Sequence, residues 1–142
     1  MTVTFSHFGI CVADLDRSLR FYCEALGFER GVAFPVGPEF GALMEIEGVK
    51  VHSQYIIRDQ LSVELLAYEF PGHVGSAQRR PLNQLGLTHL NFRVDDVDAV
   101  TARIAALGGS VLEHTRTTLG ELDFVYCTDP DGTRIELMHL PA

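Results

Sequence analysis

Ser6-His7-Phe8-Gly9-Ile10-Cys11-Val12-Ala13-Asp14-Leu15-Asp16 returns later in the chain as Thr88-His89-Leu90-Asn91-Phe92-Arg93-Val94-Asp95-Asp96-Val97-Asp98. Histidine falls on histidine at an offset of 82, and Val12/Val94, Asp14/Asp96 and Asp16/Asp98 keep that offset. A second echo sets Ser62-Val63-Glu64-Leu65-Leu66 against Arg134-Ile135-Glu136-Leu137-Met138, at an offset of 72. The chain reads as a duplicated module in which each copy opens on a strand with His and closes on a strand with Glu. A repeat of this kind fixes the architecture before any single residue is considered.

Each copy has the same local grammar. Phe8, Ile10 and Val12 alternate with His7, Gly9 and Cys11, the period of a strand running through Thr4–Val12. Asp14-Leu15-Asp16 then starts a helix, with acidic groups at the positive end of its dipole. Leu15, Leu19, Tyr22 and Leu26 follow at helical spacing, and Gly27 is placed to stop it. In the second copy Asp95-Asp96 precedes Val97, Val100, Ile104 and Leu107, and Gly108-Gly109 is the stop. Strands are predicted over 29–34, 41–46, 51–57 and 61–68 in the first copy. In the second they are predicted over 110–116, 123–128 and 133–140. Asp129-Pro130-Asp131-Gly132 is a strong turn before the last strand, because Pro presets φ and Gly accepts φ > 0. The fold class is α+β. One domain spans 1–142, with a first module at 4–69, a linker rich in Pro and Gly at 70–86, and a second module at 87–140.

Composition narrows the function classes. At 142 residues, with 46% hydrophobic and 21% charged residues, the chain is long enough for a real core and shows no sign of disorder. A formal net charge of −8 disfavours nucleic acid and anionic membrane surfaces as partners. Cys11, Cys23 and Cys127 are odd in number and lack C-x-x-C spacing, which points to a reducing compartment rather than a disulfide framework. The first residues have neither a basic start nor an apolar stretch of signal-peptide length, and no run approaches membrane-spanning length. A cytoplasmic protein is expected.

Alternation along the strands selects the chemistry. His7, Gly9 and Cys11 share one face, as do His89, Asn91 and Arg93. Glu64 lies with Ser62, Leu66 and Tyr68, and Glu136 with Arg134, Met138 and Leu140. Both glutamates are embedded in apolar strand sequence, where an unpartnered carboxylate costs several kcal/mol, so a compensating charge is expected. Two imidazoles and two carboxylates suit one divalent ion, Zn, Ni, Co, Mn or Fe, with water filling the remaining positions. His52, His73, His114 and His139 have no repeat partner and are read as structural. A lone strand His is ordinarily a hydrogen-bonded core or rim residue, and a lone strand Glu ordinarily faces solvent. The shared register of a duplicated unit is what raises these four above that reading.

Taken in order, these stretches resemble the vicinal oxygen chelate superfamily of glyoxalases, bleomycin-resistance proteins and extradiol dioxygenases. The marks are the Val12-to-Tyr22 run, Leu26-Gly27-Phe28, Thr88-His89-Leu90 leading to Val94-Asp95-Asp96, and Asp129-Pro130-Asp131-Gly132 followed by Arg134-Ile135-Glu136-Leu137. The resemblance implies two βαβββ modules whose sheets curl into a cup around one metal. It matches His7, Glu64, His89 and Glu136 to the four ligands of lactoylglutathione lyases. It also implies that a metal-bound glutamate, Glu136 or Glu64, is the catalytic base moving a proton next to a coordinated carbonyl. Glu136 is preferred by a small margin.

The sequence also departs from that pattern. Bacterial lactoylglutathione lyases carry Arg four residues after the first His and Asn four residues after the first Glu, where Cys11 and Tyr68 stand here. That argues against glutathione as carrier thiol. Arg93, on the His89 face, is positioned for a substrate carboxylate or phosphate, or for pairing with one of the chain's acids. Asn91, Tyr68, Cys11 and Met138 are candidate pocket walls, with Cys11 as a small filler and Tyr68 as a core tyrosine the plainer readings. Arg79 and Arg80 are solvated loop charges or a pocket rim.

The expected activity is that of a metal-dependent lyase, isomerase or epimerase. The alternatives are an Fe(II) dioxygenase using His7, His89 and Glu136, with Glu64 counting against it, and a metal-free small-molecule binding protein of the bleomycin-resistance kind. A homodimer, with modules paired within or between chains, is the expected assembly.

Overall fold

The computed structural model describes residues 1–141. They fall into two compact units, one formed by Met1–Cys23 with Gly27–Gly75, the other by Glu24–Leu26 with the residues from Ser76 onward. No helix among the described residues is long and apolar enough to cross a membrane.

In the first unit, β1 (Phe8–Cys11) leads into α1 (Leu15–Arg20), which runs on as a π-helical turn over Phe21–Ala25. Asp14 caps α1 by accepting a 2.9 Å hydrogen bond from the Arg17 amide, so one otherwise unpaired donor of the first turn is satisfied. Gly27, at φ 72°, turns the chain out of the helix, a conformation that a side chain would resist. β2 (Glu29–Val36), β3 (Lys50–Arg58) and β4 (Leu61–Phe70) follow, giving a sheet in the order β1-β4-β3-β2. β1 runs parallel to β4, and the other pairs are antiparallel.

The strand predicted over 41–46 is not formed. A 3-10 turn at Pro38–Phe40 runs into a short helix, α2 (Gly41–Met44), closed by Glu45 at φ 56°. Pro38 suits a first helical position, and Ala42, Leu43 and Met44 are good helix formers without β-branching. Their apolar character had mimicked a strand.

The second unit repeats the plan. β5 (Leu90–Arg93), α3 (Val97–Ala106), β6 (Ser110–Leu119), β7 (Leu122–Thr128) and β8 (Arg134–His139) give the order β5-β8-β7-β6, with β5 parallel to β8. Asp96 caps α3 through a 2.9 Å bond from the Ala99 amide, as Asp14 caps α1. The Asp129–Gly132 turn is tied by Asp129, whose Oδ1 accepts from the amides of Asp131 (2.9 Å) and Thr133 (2.8 Å). A Cβ on Gly132, whose φ is 88°, would run into the carbonyl of Ala77.

Both units are thus β-α-β-β-β, the α+β architecture read from the repeat. Alternation along the closing strands sets core against site. Val63 and Leu65 on β4, and Ile135 and Leu137 on β8, are fully buried, while Glu64 and Glu136 between them turn to the opposite face. In the first unit Val12, Leu19, Phe21, Tyr22 and Ile56 are also buried; in the second, Val97, Val100, Ile104 and Val125 are. Each large apolar side chain removed from water contributes roughly 1.5–3 kcal/mol, so the core strands hold the two glutamates in fixed register.

Candidate metal centre

His7 stands one residue before β1, and the β1–β4 register places Gly9 opposite Glu64, which in turn faces Tyr55 on β3. His7 and Glu64 meet across this rank, with Nε2 and Oε2 3.1 Å apart. The other ring nitrogen, Nδ1, lies 2.8 Å from the Ser6 hydroxyl. The other carboxylate oxygen, Oε1, accepts a 2.6 Å bond from Ser53 Oγ. The Tyr55 ring meets the imidazole edge-on at 5.0 Å, and Phe34 stacks on Tyr55 at 6.0 Å. Burial, and then the Glu64 charge, raise the Tyr55 hydroxyl above its ordinary pKa, so it is a neutral hydrogen-bonding group near neutral pH.

The second unit builds the same motif from its own copies. His89 stands one residue before β5, and the rank beside it reads Asn91, Glu136, Tyr126. His89 Nε2 lies 3.0 Å from Glu136 Oε2, and Nδ1 lies 2.8 Å from the Thr88 hydroxyl. Tyr126 meets His89 edge-on at 5.4 Å. Its amide donates to Thr115 Oγ1 at 2.9 Å where the β6–β7 ladder is irregular, which fixes the position of the ring. Burial and the Glu136 charge raise its hydroxyl as well, and Arg134 opposes them.

The copies differ in how each carboxylate is held. Glu64 is anchored through Oε1 by Ser53, and Gly9 leaves the side towards β1 without a side chain. On Glu136, Asn91 Nδ2 donates to Oε2 at 2.8 Å, the same oxygen that faces His89. The site of Ser53 is taken in the second unit by Phe124, opposite Met138. Among the described residues Glu136 Oε1 therefore has no counterpart of the Ser53 bond.

The expected ligands come together two by two, His7 with Glu64 and His89 with Glu136. Among the described residues no three His, Cys, Asp or Glu side chains form a metal-holding cluster. Each pair nevertheless fits a divalent ion. Two donors about 2.1 Å from an ion and about 90° apart are about 3.0 Å from each other, close to the spacing of both pairs. Where Nδ1–H donates to the neighbouring hydroxyl, the Nε2 lone pair faces a carboxylate oxygen, an arrangement that needs a proton or a cation between them. The mixed nitrogen–oxygen set is that of borderline divalent metals.

The remaining candidates are placed as follows. Arg93 is exposed at the end of β5, in register with Met138. Cys11 is exposed on β1 in register with Leu66. Tyr68 packs with Leu66 against Val36, Val49 and Val51, and its hydroxyl is raised by burial, then by Cys11 and Glu64. His52 pairs with Glu69 at 3.0 Å, and His139 Nδ1 lies 3.1 Å from the Val94 carbonyl. Ser6, Thr88, Ser53, Tyr55, Tyr126 and Arg134 were not anticipated as site residues. The Ser/Thr-His repeat was a visible signal for Ser6 and Thr88. The tyrosines become visible only once the strand register places each opposite a glutamate.

Comparison with known proteins identifies the family and the fold. The family model described as Glyoxalase/Bleomycin resistance protein/Dioxygenase superfamily matches residues 4–137. A probable lactoylglutathione lyase from Synechocystis sp. is 30% identical over 135 residues, covering 93% of this chain and 92% of its own length. A 2-epi-5-epi-valiolone epimerase from Actinomyces sp. is 29% identical over 153 residues, covering 99% and 81%. The crystal structure of a glyoxalase family protein from Bacillus cereus shares the fold, with a TM-score of 0.84 at 20% identity over 98% of this chain and 95% of that one. With the family model matched across residues 4–137, the chain belongs to the glyoxalase/bleomycin resistance protein/dioxygenase superfamily.

Proposed function

We propose that the protein is a metal-dependent, glyoxalase-like lyase or isomerase that moves a proton on the carbon next to a carbonyl of a small oxygenated substrate. His7, Glu64, His89 and Glu136 are its ligand set for one divalent ion, supplied by one chain or by two chains of a homodimer. The observation that carries this reading is the repeated pair, imidazole Nε2 against carboxylate oxygen at 3.0–3.1 Å in both units. The relatives named as a lyase and an epimerase support the same class.

When bound, the ion would polarise the substrate carbonyl and make the neighbouring C–H more acidic. The chain's own residues divide the remaining work. Glu64, tied by Ser53, serves as a fixed ligand. Glu136 keeps Oε1 clear of the hydrogen bonds that hold Oε2 and serves as the base that takes the proton and returns it to carbon. Ser6 and Thr88 orient the imidazoles, and Tyr55 and Tyr126 wall the site against water. The hold of Ser53 on Glu64 weighs against the dioxygenase alternative, which needs that carboxylate to leave. Cys11 and Tyr68, at the positions where bacterial lactoylglutathione lyases hold glutathione, weigh against that carrier.

The test is solvent-deuterium exchange into small hydroxyketones by protein loaded with Mn²⁺, Ni²⁺ or Zn²⁺. Exchange that Glu136→Gln lowers by about 100-fold or more is the expected result, in line with the loss of a general base. Oxygen uptake with catechols in place of exchange would reverse the assignment.

A further inference from the structure

The faces that carry the two His–Glu pairs differ in charge. Two residues before Glu64 stands Ser62, and two residues before Glu136 stands Arg134, on the same face as the carboxylate. The β5–β8 ladder pairs Asn91 with Glu136, so Arg134 lies one alternation before that rank, and the Tyr126 ring meets both His89 and Arg134. Its guanidinium sits over the Tyr126 ring, 5.1 Å from the centroid, and donates through one terminal nitrogen to the Arg80 carbonyl at 2.9 Å. Arg80 in turn donates to the Leu87 carbonyl. The stack and the tie hold the planar group in place.

Among the described residues Arg134 forms no ion pair with a carboxylate, in a chain whose formal net charge is −8. By contrast, Arg116 of the same unit is paired with both Asp123 and Asp98. A half-buried guanidinium with most of its five donors uncommitted, fixed beside a site and spared by an excess of acids, is shaped to receive an oxyanion.

We propose that Arg134 is the anion-recognising residue of the site, receiving a carboxylate or phosphoryl group of the substrate against the Tyr126 face. Building on the proposed function, this makes the substrate an oxygenated acid or phosphate ester, with its anionic end at Arg134 and its reacting carbon at Glu136. It also gives the two modules separate tasks, since Ser62 stands in the first unit where Arg134 stands in the second, and supplies no cation beside Glu64.

The test uses the full-length chain and two probes, inorganic phosphate and acetate, titrated at constant ionic strength while the arginine Nε–H signals are followed by NMR. The Arg134 signal is identified by its absence in Arg134→Met. A saturable millimolar response to phosphate, to acetate or to both is expected, and the probe that answers gives the anion class. Arg134→Met should weaken that binding by about 10-fold or more, and Arg134→Lys, which keeps the charge without the fork, by less. No saturable response to either anion, or an undiminished response in Arg134→Met, overturns the proposal. Divalent-metal binding is measured on the same samples. Metal binding without an anion response sinks this inference alone, and an anion response without metal binding sinks the proposed function alone.

Discussion

Ser53 Oγ donates a 2.6 Å hydrogen bond to Glu64 Oε1, and this leaves Oε2 as the oxygen facing His7. The bond comes from the neighbouring strand, so the carboxylate is oriented by the sheet itself. Groups that orient a metal ligand in this way typically change affinity by 10–100-fold when removed. Ser53→Ala is expected to weaken divalent-metal binding by about that factor while leaving the fold intact. Calorimetric titration of both proteins with one metal checks it.

Asn91 does the corresponding work on Glu136, but from β5 and on the oxygen that also faces His89. Asn91→Ala should lower turnover more than metal affinity, because the base loses the contact that aims it. The split is read by comparing kcat and metal Kd in the variant. Equal losses in both would make Asn91 a simple structural support.

How much of this was legible in the sequence depends on what each feature rests on. The repeat carried both modules, both caps and the four residues His7, Glu64, His89 and Glu136, because residues that recur in two copies of one unit occupy equivalent places; that each His meets the Glu of its own unit emerges only from the strand register. α2 was missed because Gly41–Met44 carries no period that separates a short helix from a strand. Tyr55 was hidden because pairing opposite a glutamate depends on hairpin register and Asp59-Gln60 is a weak turn signal, while Tyr126, across the strong Asp129–Gly132 turn, needed the exact register that places it opposite Glu136. Arg134 was assigned to the Glu136 face from alternation, but its seat on Tyr126 depends on the chain around Arg80, which no periodicity describes.

The burial that fixes the glutamates should be measurable as stability. Leu65 and Leu137 are fully buried on either side of the module plan, each adjacent to a site glutamate. Truncation to Ala in either place is expected to cost about 2–5 kcal/mol in denaturant unfolding, while Leu119→Ala on the exposed end of β6 should cost little. Comparable small losses at all three positions would contradict the assigned core.

The cysteines differ in reactivity by their surroundings. Burial, and then the charge of Glu113, push the Cys127 thiol up to about 11, whereas Cys11 is exposed. Near neutral pH a thiol-specific reagent should modify Cys11 in the native protein and reach Cys127 only on unfolding. Peptide mapping after brief labelling reads the order directly.

Asp123 provides a pH test of the second unit. The hydrogen bonds and charge of Arg116 hold its carboxyl below the usual aspartate range. A depressed carboxyl contributes stability that is present above its unfolded pKa and is lost as pH falls through the folded one. Asp123→Asn should therefore be less stable than the natural chain near neutral pH, with the difference closing in strong acid. A difference that persists unchanged there would assign the loss to packing instead.

Whether the two His–Glu pairs serve one metal ion is decided by the stoichiometry of divalent-metal binding to the full chain. One ion per chain is expected, with binding weakened or lost in each of His7→Ala, Glu64→Gln, His89→Ala and Glu136→Gln. Two independent ions per chain, binding indifferent to these four changes, or no binding at all would contradict it.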